Sequence, residues 1–182
     1  NGNACYNLDS TAIFFTRCAI NTKGKMICAI WQTKLEDGEW TMAEKLPETV
    51  NNPEYNSTQP TVGRGDKYDA EVLYFVSDNP RGRGGLDIWY SEYRPKKKEF
   101  KKAKNGGSKI NTVFDEMTPS YDVNNKTMYF SSEGHNSMGG FDIFVSYFKQ
   151  GQWSEPVNMG YPINTPYDDM FFAATANGKF AY

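Results

Sequence analysis

The sequence has one histidine, His135, and three cysteines, Cys5, Cys18 and Cys28, with no CxxC spacing. A zinc site is therefore not expected. A Gly-x-Ser-x-Gly elbow is absent, and with it the nucleophile of an α/β-hydrolase. There is no phosphate loop, and Arg81-Gly82-Arg83-Gly84-Gly85 lacks the strand-to-helix setting of a dinucleotide site. His135 stands in the hairpin-like stretch Glu133-Gly134-His135-Asn136-Ser137, where nothing places a nucleophile beside it. No apolar run approaches the roughly 18 residues a membrane span needs. The start, Asn1-Gly2-Asn3-Ala4-Cys5, has neither a basic nor an apolar targeting region. The formal charge of −2 gives no global field for nucleic acid or an anionic membrane. Long helix-forming stretches are missing too. These absences lead to the expectation of no enzyme, no cofactor, no metal, no nucleic-acid partner and no membrane span.

What is present favours strands and turns. Aromatics make up 15% of the 182 residues, with 16 glycines and 9 prolines. The sequence also repeats itself. Asn111-Thr112-Val113-Phe114-Asp115-Glu116-Met117 recurs as Asn164-Thr165-Pro166-Tyr167-Asp168-Asp169-Met170, and the match runs on from Lys126 to Lys179 and from Tyr129 to Tyr182. Leu73-Tyr74-Phe75-Val76-Ser77-Asp78 matches Met128-Tyr129-Phe130-Ser131-Ser132-Glu133, and Gly84-Gly85-Leu86-Asp87-Ile88-Trp89 matches Gly139-Gly140-Phe141-Asp142-Ile143-Phe144. Pro60 matches Pro119 across a slightly longer hairpin around Gly63-Arg64-Gly65-Asp66. A weaker copy lies at the start: Ile13-Phe14-Phe15-Thr16 resembles Met128-Tyr129-Phe130-Ser131, but Ala29 stands where the Asp would be.

Each unit carries a Pro-containing strand, an alternating apolar strand, a Ser/Gly-rich loop, a third strand, and a short turn into a fourth strand at Trp40, Phe100 or Trp153. The expected fold is all-β: a β-propeller of four-stranded antiparallel blades. The units run roughly over 1–51, 52–110, 111–163 and an incomplete 164–182 that stops inside a strand candidate. About three and a half units are present, read as part of a ring of roughly six to eight blades. Tyr74, Phe75, Tyr129 and Phe130 are expected to pack the two faces of the second strand.

Four groups of residues stand out. Gly84, Gly85, Gly139 and Gly140 suit positive φ or close backbone approach. Asp87 and Asp142 behind them are placed to accept backbone N–H groups and pin the loop. Asp115, Glu116, Asp168 and Asp169 open the first strands of two units. They fit either turn capping or an acidic ring at one mouth of the axial channel that takes a cation or a basic peptide; Asn56 and Ser57 replace them in the middle unit. Cys18 and Cys28 flank a turn, and both a cross-strand disulfide and two free thiols remain open. The run Lys96-Lys97-Lys98-Glu99-Phe100-Lys101-Lys102 reads as a solvated turn or a contact for an anionic partner.

The stretches Tyr129-Phe130-Ser131-Ser132, Gly139-Gly140-Phe141-Asp142-Ile143-Phe144 and Trp153-Ser154-Glu155-Pro156-Val157-Asn158 resemble the WD-repeat-like propeller family typified by TolB. Gly160-Tyr161-Pro162-Ile163-Asn164-Thr165-Pro166-Tyr167-Asp168-Asp169 resembles the form found in Bacteroidetes OmpA-family envelope proteins, including a component of type IX secretion. The resemblance implies a non-catalytic protein-interaction scaffold of the periplasm, associated with the outer membrane. Its partners would be envelope or secretion-system proteins, with peptidoglycan bound only through a separate domain. The alternatives are a propeller glycosidase, which draws acids from distant blades, and a glycan- or small-ligand-binding propeller, which needs exposed aromatics at one channel mouth.

Overall fold

The computed structural model describes residues 2–65, 70–175 and 181. Asp66, Lys179 and Tyr182, used in the repeat alignment, lie outside the described residues. Among the described residues no helix is long and apolar enough to cross a membrane. Among the described residues all regular structure is strand, arranged in three antiparallel sheets that follow one another along the chain.

The first sheet holds β1 (Gly2–Tyr6), β2 (Ala12–Ile20), β3 (Met26–Glu36), β4 (Glu39–Trp40) and β5 (Glu44–Lys45). The second holds β6 (Thr58–Arg64), β7 (Glu71–Ser77), β8 (Asp87–Arg94), β9 (Glu99–Phe100) and β10 (Lys104–Asn105). The third holds β11 (Glu116–Asp122), β12 (Thr127–Ser132), β13 (Asp142–Lys149), β14 (Gln152–Trp153) and β15 (Val157–Asn158). In every sheet the last two segments pair with the same third strand. Each sheet is thus a four-stranded meander whose outer strand is broken in the middle. A hydroxyl holds each break: Thr33, Ser91 and Ser146 donate to the carbonyls of Thr41, Lys101 and Ser154 at 2.7, 2.5 and 2.9 Å.

Local chemistry sets the turns. Asp37-Gly38 and Gln150-Gly151 have φ of 51° and 86°, and of 52° and 78°, the left-handed pair of a two-residue type I′ hairpin. The lysines 96–98 lie in the β8–β9 turn and are exposed. Cys18 and Cys28 sit directly opposite each other on β2 and β3 and are joined by a disulfide.

The sheets stack face to face, and the middle sheet shows why its β7 is apolar on both sides. Leu73 and Phe75 point into a core shared with Phe14, Ile30, Leu46 and Val50 of the first sheet. Val72, Tyr74 and Val76 point the other way, against Tyr121, Met128, Phe130 and Phe144 of the third. A pleat sends successive side chains to opposite faces, so a central blade must be apolar at every position. Strand β6 packs against β1 on one side and β11 on the other. First strands side by side, with outer strands splayed away from them, make these sheets three blades of a β-propeller.

Phe100 and Trp153, on the outer strands, pack into the cores between blades. Phe100 is a wedge in the first inter-blade core, edge-on to Phe14 at 5.8 Å, and Trp153 meets Tyr74 of the preceding blade the same way at 5.9 Å.

Candidate functional site

Three asparagines join each blade to the chain entering the next one. The Asn51 side chain accepts from Ile30 N–H and donates to Ile30 C=O, both at 2.8 Å. Asn111 does the same with Ile88 and Asn164 with Ile143. Each amide thereby acts as one more rung of a β-ladder in a place where solvent is excluded. The sequence contained the clue, because Asn111 and Asn164 coincide in the repeat. Their role needed the third strand beside them.

The acidic pairs are committed to the same junctions. Asp115 Oδ1 accepts Leu86 N–H at 2.8 Å and Asp168 Oδ1 accepts Phe141 N–H at 3.0 Å. Asn56 Oδ1 accepts Cys28 N–H at 2.9 Å in the equivalent place. Glu116 is 0% exposed and takes donors from Thr112 N–H, Thr112 Oγ1 and Ser132 Oγ. Asp169 takes Thr165 N–H at 2.6 Å. Burial pushes the Glu116 carboxyl above its ordinary value, against the pull of those hydrogen bonds. These four groups cap turns and latch blades through those hydrogen bonds, Glu116 buried and Asp168 exposed.

The glycine pairs make room for the latches. A Cβ on Gly84 would lie 1.8 Å from Phe114 O, and one on Gly140 would lie 2.1 Å from Asp168 Oδ1. Gly85 and Gly139 face Asp115 and the Pro166–Tyr167 backbone as closely. None of the four is among the positive-φ glycines, so close approach is what they serve. Behind them Asp87 accepts Arg83 N–H at 2.6 Å, and Asp142 accepts Met138 N–H at 2.5 Å and Asn158 Nδ2 at 2.8 Å. Burial raises the Asp87 carboxyl.

The first strands converge on a funnel of about 270 Å³. Each carries a bulge at the same place, with register breaks between Gly2 and Ala4, Thr58 and Thr61, and Met117 and Ser120. Asn3, Gln59, Thr118 and Phe171 hold φ between 39° and 67° there, a strained region for residues with side chains. A chain of hydrogen bonds runs round the axis and holds them: Gln59 N–H to Thr16 Oγ1 at 3.0 Å, Thr118 N–H to Gln59 Oε1 at 2.7 Å, and Phe171 N–H to Thr118 Oγ1 at 3.5 Å. Pro60 and Pro119 follow two of the bulge residues, where a missing N–H does not interrupt the ladder. The funnel wall is neutral: amides of Asn3 and Gln59, hydroxyls of Thr118 and Ser120, the rings of Phe171 and Phe172. Cys5 also lines it, and burial, then Glu71, pushes its thiol up to about 12, so it stays protonated and unreactive.

One aromatic precedes each latch, at the entrance to the first strands: Tyr55, Phe114 and Tyr167. Tyr55 is half-buried, Phe114 is 54% exposed and Tyr167 is 80% exposed. His135 is structural: Nε2 lies 2.9 Å from Ile110 O, and its ring packs on Phe130 and Phe144.

No protein-family model matches the chain, and no curated protein matches it. Among solved structures it is similar to an alpha-L-arabinofuranosidase from Lactobacillus brevis, with TM-score 0.60 and 13% identity over 98% of this chain and 62% of that one. It is also similar to 1,3Gal43A, an exo-beta-1,3-galactanase from Clostridium thermocellum, with TM-score 0.50 and 17% identity over 90% of this chain and 35% of that one. The Dos1 propeller aligns at TM-score 0.44 and 8% identity, over 97% of this chain and 50% of that one. At these identities the likeness is one of fold, and this chain spans less than two thirds of either glycosidase. It corrects the expectation of a non-enzyme. That expectation rested on missing nucleophile motifs, whereas glycosidases use carboxylates from separate strands, which leave no local motif.

Proposed function

We propose that this chain forms part of a carbohydrate-recognising propeller, with the ligand at the axial funnel and its aromatic rim. The observation that carries this reading is the repeat-equivalent placement of Tyr55, Phe114 and Tyr167 just before the first strands, the strands whose bulges form a funnel of uncharged amides and hydroxyls. A sugar offers an apolar C–H face to an aromatic ring and hydroxyls to amide and hydroxyl partners, so a neutral glycan matches both parts. The fold shared with two glycosidases supports the same reading. Hydrolysis would need two carboxyl groups, roughly 5–9.5 Å apart. The described funnel wall brings none, so this segment supplies binding surface and the ring as a whole would supply the acids. The uncovered face of the first blade, with Phe15 and Trp31 half-exposed, fits a ring of more blades.

The disulfide between Cys18 and Cys28 favours an oxidising compartment, in keeping with the periplasmic setting implied by the likeness to TolB-type and OmpA-family envelope propellers. In that setting an envelope protein is the second candidate for the aromatic rim, on the strength of that likeness.

The test is titration with α-arabinofuranosyl and β-1,3-galactan oligosaccharides, read by calorimetry and by product analysis. Saturable binding that falls at least tenfold in Phe114→Ala/Tyr167→Ala supports the proposal. No binding and no hydrolysis with either glycan, alongside envelope proteins retained through the same two residues, would replace it with the protein-partner reading.

A further inference from the structure

The junction between the second and third blades contains a groove lined by Tyr74, Tyr90 and Trp153. Its volume is about 650 Å³. Two positions of the repeat differ between the junctions. Leu46 packs into the first inter-blade core, and its backbone N–H donates to Ile30 C=O; Gly106 makes the same bond to Ile88 C=O, where a Cβ would lie 2.8 Å from that oxygen, and lines the groove. Ala103 N–H donates to Thr49 C=O at 2.8 Å across the first junction's outer rim. Pro156 stands at the equivalent position of the next blade and has no N–H to give. The second rim is bridged by the ion pair of Lys109 and Glu155, whose side chains are 51% and 73% exposed.

Tyr74 lines the groove at 3% exposure, and its hydroxyl makes no hydrogen bond among the described residues. Burial first, then Tyr121, Tyr90 and Glu92, holds that phenol well above its ordinary value, so it stays a donor. Tyr90 and Trp153 are half-buried and flank it, with ring centroids 6.1 and 5.9 Å from Tyr74. Glu92 and Lys101 complete the lining as an ion pair, and Asn105 adds an amide. Their charges cancel, which disfavours a net anion or cation. What remains is an aromatic cleft with acceptors, donors and one hydroxyl without a protein partner among the described residues, at a volume suited to a small ligand.

We propose that this groove is a second saccharide site, holding one or two neutral sugar units at the propeller's periphery, away from the axial funnel. The choice of a sugar rests on the carbohydrate reading above; the existence of a site rests on the groove alone. A sugar ring seated on Trp153 and Tyr90 reaches the Tyr74 hydroxyl and the Glu92–Lys101 pair. Lys109, which lines the groove, is paired with Glu155, and an exposed pair of this kind opens at little cost.

The experiment is a titration of the full chain with β-1,3-galactotriose and α-1,5-arabinotriose, following the Trp153 indole N–H resonance. Expected is a saturable shift that weakens at least tenfold in Tyr90→Ala and about threefold in Tyr74→Phe, which removes only a hydroxyl. The shift should persist in Phe114→Ala/Tyr167→Ala. No saturable Trp153 shift up to roughly 10 mM, with binding still present at the rim, overturns the groove site and leaves the funnel reading intact. Loss of the shift in the rim variant also overturns it, since the groove would then not be an independent site. Silence at both places overturns both readings.

Discussion

The two inter-blade junctions share one set of latches and differ in how they are filled. Both have an Asn rung, Asn51 or Asn111, and both have a side-chain oxygen, the amide of Asn56 or the carboxylate of Asp115, catching the backbone of the preceding blade. Both wedge an aromatic from the outer strand against the second strand of the blade before. The first junction is then sealed by Leu46 and a backbone hydrogen bond. The second is left with a glycine, a proline and an ion pair. The latches therefore set how blades are held together, while the positions around them are free to turn a junction into a core or a cleft. A repeat protein can in this way acquire a site at one junction without loosening the array.

The largest difference should come from the wedges. Phe100→Ala removes a buried ring from the sealed junction and should cost about 3–5 kcal/mol. Trp153→Ala at the open junction should cost less, about 1–2 kcal/mol, because one side of that ring already faces the groove. Urea midpoints of the two variants decide it, and equal losses would mean that the second junction is as tightly packed as the first. Next come the rungs. Asn51→Leu and Asn111→Leu each strand a buried strand N–H, at about 2–3 kcal/mol apiece. The comparison requires these two losses to match, and a large gap between them would show that the latches are not equivalent.

A pH effect should separate the junctions further, because Glu116 at the second has the neutral Ser57 as its counterpart at the first. The folded-state value of Glu116 is raised by burial, so its contribution is fully present below the ordinary glutamate range and is lost as pH rises through the folded value. Between pH 7 and pH 5 the unsubstituted chain should gain stability relative to Glu116→Gln. A difference that stays flat, or shrinks on acidification, would contradict the burial argument. Smallest of all is the rim: Lys109→Ala should change stability by no more than about 0.5 kcal/mol, since both partners of the ion pair are mostly in water. A larger loss would make the bridge a structural clamp.

Much of this architecture can be read along the chain. The recurrence of Asn111-Thr112-Val113-Phe114-Asp115 at Asn164-Thr165-Pro166-Tyr167-Asp168 marks a repeating unit, and the unbroken apolar run Leu73-Tyr74-Phe75-Val76 marks a strand buried on both faces. The bulges were partly visible, since Pro60 and Pro119 each sit inside a strand where a proline is otherwise unwelcome. The broken outer strands were not visible, because two-residue segments such as Glu99–Phe100 and Lys104–Asn105 are too short to show a period. Nor was the fate of the carboxylates. Whether Asp115 points at a ligand or at Leu86 N–H depends on a loop 29 residues earlier in the chain.

The sequence by itself determined the blade: its strand order, its tight turns, its doubly apolar middle strands and the residues that recur from unit to unit. These follow from short-range rules, a two-residue pleat and the φ preferences of glycine and proline, which act within one unit. Only the tertiary structure decided what the recurring polar groups do. Asn111, Asp115 and Glu116 acquire partners when neighbouring segments meet, and Gly106 comes to line a groove only once another blade stands across from it. Burial and hydrogen-bond partnership are properties of pairs of surfaces, so they come into being when the blades stack.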